Sequence, residues 1–305
     1  MNSSPSGESP QPNVRERERS RQRRMYYSRL VRLKVWITLA ALSFALVAAG
    51  QHVADRYGII GGFVLALGLN ALVFLYTDLR LSHLFHGEEI DGHDAWGILR
   101  MTKELAARAQ IKAPRVHLMK TSPCAFSAGL TQGTTHLFLS EALLKKLSPH
   151  ELQAVLAIEM ARMKTNYTSV ATAVSALGGL LMALPVLIDQ TIFLQGLRRT
   201  KPGQIGPAVL LISPFVGLLV QLALGRRITL QTDQLAATWI GSPRFVAQAI
   251  SKIDSYEKVL PLKVWLADAH LFTVNPLLCQ TWCRYVHVQP QAIERISALT
   301  GHSQL

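Results

Sequence analysis

The most chemically suggestive stretch of the chain runs from Leu147 to Tyr167, LSPHELQAVLAIEMARMKTNY. A helix that holds zinc through two histidines around a glutamate is written His-Glu-x-x-His. The corresponding run here is Ile158-Glu159-Met160-Ala161-Arg162. Two histidines four residues apart would lie one turn apart on a single face and reach one metal ion. His150 opens a similar run, HELQA, but the position four residues on is Ala154. What the stretch does offer is a carboxylate and a permanent cation three residues apart, Glu159 and Arg162, which on a helix are close enough to pair. His117 and His136 fall on or beside strand-like segments and His287 in a loop; scattered histidines of this kind usually serve structure or solvation.

The three cysteines, Cys124, Cys279 and Cys283, form no framework. The two thiols of CQTWC lie one helical turn apart with no further ligands nearby, so free, reduced thiols in a cytoplasmic setting are expected. Cys124 has no partner base in sequence, and a Ser-centred nucleophile elbow is absent.

These residues need elements to hold them. Ser148 reads as an N-cap, Pro149 as the first helical residue, and Glu151 completes a Ser-x-x-Glu capping box. From there Leu152, Val155, Leu156, Met160 and Met163 make an apolar face, so the helix is expected to be buried. Upstream, Ile98, Met101, Leu105 and Ala109 recur at helical spacing, and Ile111-Lys112-Ala113-Pro114 ends that helix. Arg115–Lys120 alternates as a strand; AFSAGL and THLFLS form two more, joined at TQGT, which predicts a small antiparallel sheet with one edge. EALLKKL is a short helix. GRRITLQTDQLAATWIGSPRFVAQAISKID reads as helix, Gly-Ser-Pro break, helix, and the chain closes on a loop and a last short helix.

Of the 305 residues 49% are hydrophobic, too many for an ordinary soluble domain of this length. Four apolar stretches, at about 33–49, 59–76, 170–187 and 208–224, approach the roughly 17–25 residues that span a bilayer. They read as two transmembrane hairpins; Pro185 and Pro214 in the second are tolerated in membrane helices. For that second pair, two buried core helices are the alternative.

The net charge of +13 is concentrated: nine basic residues lie between Arg15 and Lys34, just ahead of the first span. Such a cluster marks the cytoplasmic side, with attraction to anionic lipid a by-product. No nucleic-acid-reading module follows it. The expected product is a multi-pass integral membrane protein with its soluble part on the cytoplasmic side, in the plasma or inner membrane if the source is bacterial. Arg198, Arg199 and Lys201, in the proposed outer loop, run against this orientation, but the first helix usually dominates. Residues 1–13, rich in Ser, Pro and Gly, read as disordered.

The order of parts resembles the HtpX-type membrane zinc metallopeptidases, gluzincins related to the CAAX prenyl endopeptidase, from the first span to about Gly301. GEEIDGHDAWGILRMTKELAARAQIKAPRVHLM is similar to that family's lead-in helix and first strand. SPCAFSAGLTQGTTHLFLSEALLKKLSPHELQAVLAIEMAR resembles its Asn-Ala-Phe strand, edge strand and zinc helix. RRITLQTDQLAA resembles its Arg-Glu-x-x-x-Asp helix, and VNPL and VQPQAIERISAL its closing His-Pro segment. The resemblance implies an α+β membrane protein, mainly helical with a small antiparallel sheet and two transmembrane hairpins. It divides the chain into a basic arm (1–30), hairpin 1 (31–78), the first part of a metallopeptidase-like domain (79–168), hairpin 2 (169–225) and that domain's second part (226–305).

By the same resemblance the departures fall on the chemistry. The two ligand histidines are Ile158 and Arg162, the third ligand is Thr229, the Asn before Ala-Phe is Cys124, and the closing His is Gln289. What matches is Glu159, the family's general base, and Asp233 in the metal's outer shell. The family's zinc is therefore not expected, and no cofactor takes its place, because a catalytic zinc needs about three protein ligands. Arg162 substitutes a fixed charge for the metal, pairing with Glu159 and with Asp233 as a second partner; otherwise Arg162 points to solvent and Glu159 is a relic. The expected function is a non-catalytic binding or regulatory module, a pseudopeptidase, for membrane proteins or peptides. Thr135, His136, Leu137, Phe138 and Leu139 are its expected edge strand for adding an extended peptide. The alternatives are an active endopeptidase with an unconventional metal site and a structural membrane anchor whose basic arm binds lipid.

Overall fold

The computed structural model describes residue 37, residues 40–41, 43–71, 87–90, 94, 96–131, 133–189, 206–262, 264, 268–276 and 289–301. The basic arm, the cationic turn at 198–201, Cys279, Cys283 and His287 lie outside the described residues.

Helical residues 43–71, α1, fold back on themselves at Asp55, whose φ is 44°. The two arms touch through glycine: a side chain at Gly50 or Gly58 would run into the other's backbone. Near the open end Asn70 donates to Ser43 Oγ at 2.9 Å, tying the arms together. The second hydrophobic pair is α5 (Tyr167–Ile188) and α6 (Pro207–Ala223), which pack against each other. Asp189, at the end of α5, caps the start of α6 by accepting from the Ala208 and Val209 amides, both at 2.9 Å. The described residues of the two predicted hairpins thus form paired helices. Among the described residues, however, no helix is long and apolar enough to cross a membrane.

The remainder surrounds α4 (Pro149–Lys164), whose start is as the sequence indicates: Ser148 Oγ accepts from the Glu151 amide, and Glu151 accepts from the Ser148 amide at 2.8 Å. Lys252 reaches the same carboxylate at 2.7 Å, pinning the cap to a neighbouring helix. Against α4 lie α2 (Ile98–Ala109), α7 (Arg226–Ile240) and α8 (Pro243–Val259), and α9 (Ala292–Thr300) packs on α8 and α7. Leu152, Val155, Leu156 and Met160 are buried in this core, each contributing about 1.5–3 kcal/mol by leaving water.

A four-stranded sheet lies on the other side of α4: β1 (Glu88–Glu89), β2 (Arg115–Met119), β3 (Ala125–Ala128) and β4 (His136–Ser140), the last leading into short α3 (Glu141–Lys146). The order is β1-β2-β4-β3, and β4 runs parallel to β2. The sheet is therefore mixed, not antiparallel as predicted, because the β3–β4 hairpin docks with its second strand inward. The same insertion corrects the expected peptide-binding edge. Of the residues Thr135 to Leu139, His136 to Leu139 lie in the interior strand β4, which pairs with β2 on one side and β3 on the other, and Thr135 immediately precedes it. The edge is β3.

Candidate functional site

Glu159 sits in the middle of α4, fully out of water, and Arg162 one turn later is 1% exposed. The Arg162 guanidinium donates to Glu159 Oε1 at 3.1 Å. Ser127 Oγ on β3 donates to Glu159 Oε2 at 2.6 Å, and Thr273 Oγ1 donates to Oε1 at 2.8 Å. Both carboxylate oxygens are thus committed, as a buried charge requires.

The rest of the arginine holds the backbone of the segment after a 3₁₀ turn (Ala269–Leu271). Its two terminal nitrogens donate to the Leu271 and Phe272 carbonyls at 2.8 and 2.9 Å. Its cation lies 4.8 Å from the centre of the Tyr167 ring, a favourable cation–π distance. A guanidinium suits this task because its planar fork serves several acceptors at once and stays charged when buried.

Asp233 belongs to a second buried pair. Arg295 of α9 grips both its oxygens at 2.7 Å and also donates to the Thr273 carbonyl. Burial alone would make the Arg295 cation easier to lose, but the adjacent Asp233 carboxylate more than offsets this and raises its pKa. The expected link from Arg162 to Asp233 is replaced by this one. Gln289, at the position of the closing His, donates to the His270 carbonyl at 2.8 Å and to Tyr167 Oη at 3.1 Å. Three side chains, Arg162, Gln289 and Arg295, therefore clamp the carbonyls of residues 270–273. Clamped there, Phe272 bridges antiparallel to Phe126 and the Thr273 amide donates to the Ala125 carbonyl at 2.9 Å. The chain's own backbone covers the free edge of β3 at that point.

Of the residues picked out from sequence, Glu159 and Arg162 come together, while Ile158 faces apolar core and Thr229 is buried on α7. Ser127, Thr273, Tyr167 and Arg295 were not foreseen. The hydroxyls carry no distinguishing signal in sequence. Arg295 stands alone in a short amphipathic helix, and nothing local in the sequence ties it to Asp233.

Cys124, beside β3, is buried, and burial pushes its thiol well above the ordinary range. His270 Nε2 donates to the Ala171 carbonyl at 2.8 Å, and burial lowers its pKa to about 4, so the ring is neutral.

A family model described as peptidase family M48 matches residues 94–303. The chain belongs to peptidase family M48. Among M48 relatives, a protease HtpX homolog of Pelotomaculum thermopropionicum is 28% identical over 276 residues, 88% of this chain and 98% of that one. One from Syntrophobacter fumaroxidans has the same identity and coverage. One from Burkholderia cenocepacia is 27% identical over 278 residues, again 88% of this chain and 95% of the relative. The crystal structure of S. mikatae Ste24p overlays with a TM-score of 0.45 at 15% identity, covering 90% of this chain and 66% of that one.

A zinc ion implied by M48 membership does not fit the residues at this place. Ile158 has no donor atom, Arg162 is a cation whose terminal nitrogens are engaged, and both Glu159 oxygens already accept hydrogen bonds. Among the described residues no group of three or more His, Cys, Asp and Glu side chains is placed to hold a metal ion.

Proposed function

We propose that this M48 member is a pseudopeptidase: a membrane-embedded protein that has kept the peptidase scaffold for binding or regulation and has no metal-dependent hydrolysis. The observation that carries the reading is the Glu159–Arg162 pair. A general base must be within reach of the water or substrate proton it abstracts. Here the only carboxylate of the zinc-helix motif is sealed from solvent and saturated by Arg162, Ser127 and Thr273.

Membrane embedding is supported by side chains on the outside of the hairpins. Phe44, Ile60, Phe63 and Leu67 of α1 and Leu211 and Phe215 of α6 are exposed, a grouping that water penalises and lipid accommodates. The concentration of basic residues ahead of the first apolar stretch supports a cytoplasmic soluble part. The molecules bound are membrane proteins or peptides. With β4 interior and β3 partly covered, a partner is recognised by another surface or after the 270–273 segment has moved.

The test is cleavage of casein and of membrane-protein substrates by the purified full chain in detergent, beside its Glu159→Gln variant. Equal, background-level cleavage is expected. Turnover that depends on Glu159 overturns the reading.

A further inference from the structure

A cavity of about 470 Å³ opens where β2 and β4 begin, away from the Glu159 cluster. Its wall carries Lys112, Arg115, His117 and His136, with the hydroxyl residues Thr134 and Thr135 beside them. The four basic groups come from one loop and two strands. Arg115 and His136 are register partners in the parallel β2–β4 ladder, so their side chains leave the same face at the same level. The two imidazoles are already joined, His117 Nε2 to His136 Nδ1 at 2.8 Å. No carboxylate is among the lining residues. Outside the lining, Glu89 is the β1–β2 register partner of His117 and pairs with Arg115 Nε at 3.9 Å, so it offsets part of the positive charge.

A concave surface lined by cations and imidazoles, with no carboxylate in its wall, concentrates field and attracts anions. It is poorly suited to a metal ion, which two adjacent fixed cations would repel. Arginine and lysine together with hydroxyl donors suit phosphate oxygens in particular. The volume lies in the range of small-ligand pockets, far above what a bare phosphate fills, so the occupant carries a phosphate on a larger body.

We propose that this cavity binds the phosphate group of a phosphorylated small molecule or of a lipid headgroup, with Lys112 and Arg115 as its main contacts. Its position accommodates either source. The wall residue Gly129 donates its amide to Thr172 Oγ1 of α5 at 3.0 Å, so the opening lies beside the first turns of the second hydrophobic hairpin. The inference does not depend on the loss of peptidase activity.

The experiment is calorimetric titration of the full chain in neutral detergent with glycerol 3-phosphate and with phosphatidic acid, using glycerol and phosphatidylcholine as controls. The Lys112→Gln/Arg115→Gln double variant is titrated in parallel. Both side chains are exposed, so the variant's unfolding temperature should match the parent's. Saturable binding of one phosphate probe per chain is expected, weakened at least tenfold in the variant. Binding of phosphatidic acid alone assigns the site to lipid; binding of both assigns it to the phosphate monoester. Failure of both probes to bind better than their controls overturns the proposal. Equal binding by the variant also overturns it, and would point to the basic arm at residues 15–34 as the lipid contact.

Discussion

The Arg162 guanidinium stands 3.1 Å from the Glu159 carboxylate, and neither group is open to water. Breaking such a pair leaves an uncompensated buried charge, at about 3–5 kcal/mol. Arg162→Met should therefore lower the unfolding temperature by roughly 6 °C or more, by the usual 2–4 °C per kcal/mol for a domain of this size. Adding Glu159→Gln to Arg162→Met should restore part of that loss, because the stranded carboxylate is gone. A double-mutant cycle by thermal unfolding reads the coupling directly. Additive losses would mean that the two side chains do not act as a pair.

Arg295 joins α9 to Asp233 and to the Thr273 carbonyl. Arg295→Lys keeps the charge but loses the planar fork, so it should cost about 1–3 kcal/mol. The Thr273 amide, bonded to Ala125, should exchange faster with deuterium in this variant. Unchanged exchange across 270–275 would show that the segment is held without Arg295.

Much of this cluster was invisible in the sequence for identifiable reasons. The start of α4 was legible because Ser148, Pro149 and Glu151 act locally, within one turn. Glu159 and Arg162 were legible as a pair because helix spacing alone brings them together. Asp233 and Arg295 are 62 positions apart, and only the docking of α9 on α7 makes them neighbours. The strand order failed for a similar reason. Alternation in THLFLS shows that it is a strand, but nothing in it shows which neighbour inserts where. Buried on both faces and bonded on both edges, it has the apolar run Leu137-Phe138-Leu139, which suited an interior strand better than an edge.

Glu257 supplies a pH dependence. Burial raises its pKa from the ordinary 4.5 to about 7, so the folded chain holds a proton there that the unfolded chain releases between those values. Its contribution to stability is present below pH 4.5 and is lost as pH rises through 7. Glu257→Gln should thus unfold at the same temperature as the parent near pH 4.5 and at a higher one at pH 8. A constant difference across that range would contradict the assignment.

Cys124 should be chemically silent. Its thiol is buried and held protonated by that burial. In a Cys279→Ser/Cys283→Ser background, N-ethylmaleimide should leave the native chain unlabelled and modify one thiol per chain in guanidinium. Rapid labelling of the native chain would show that the strand beside the Glu159 cluster opens to solvent.

On the proposed reading a protein cation, Arg162, stands in the place of a metal beside Glu159. Zinc stoichiometry of the full chain, purified without chelator and measured by elemental mass spectrometry, tests it most directly. The account predicts zinc far below one ion per chain, unchanged in Glu159→Gln. One tightly held zinc per chain would contradict it.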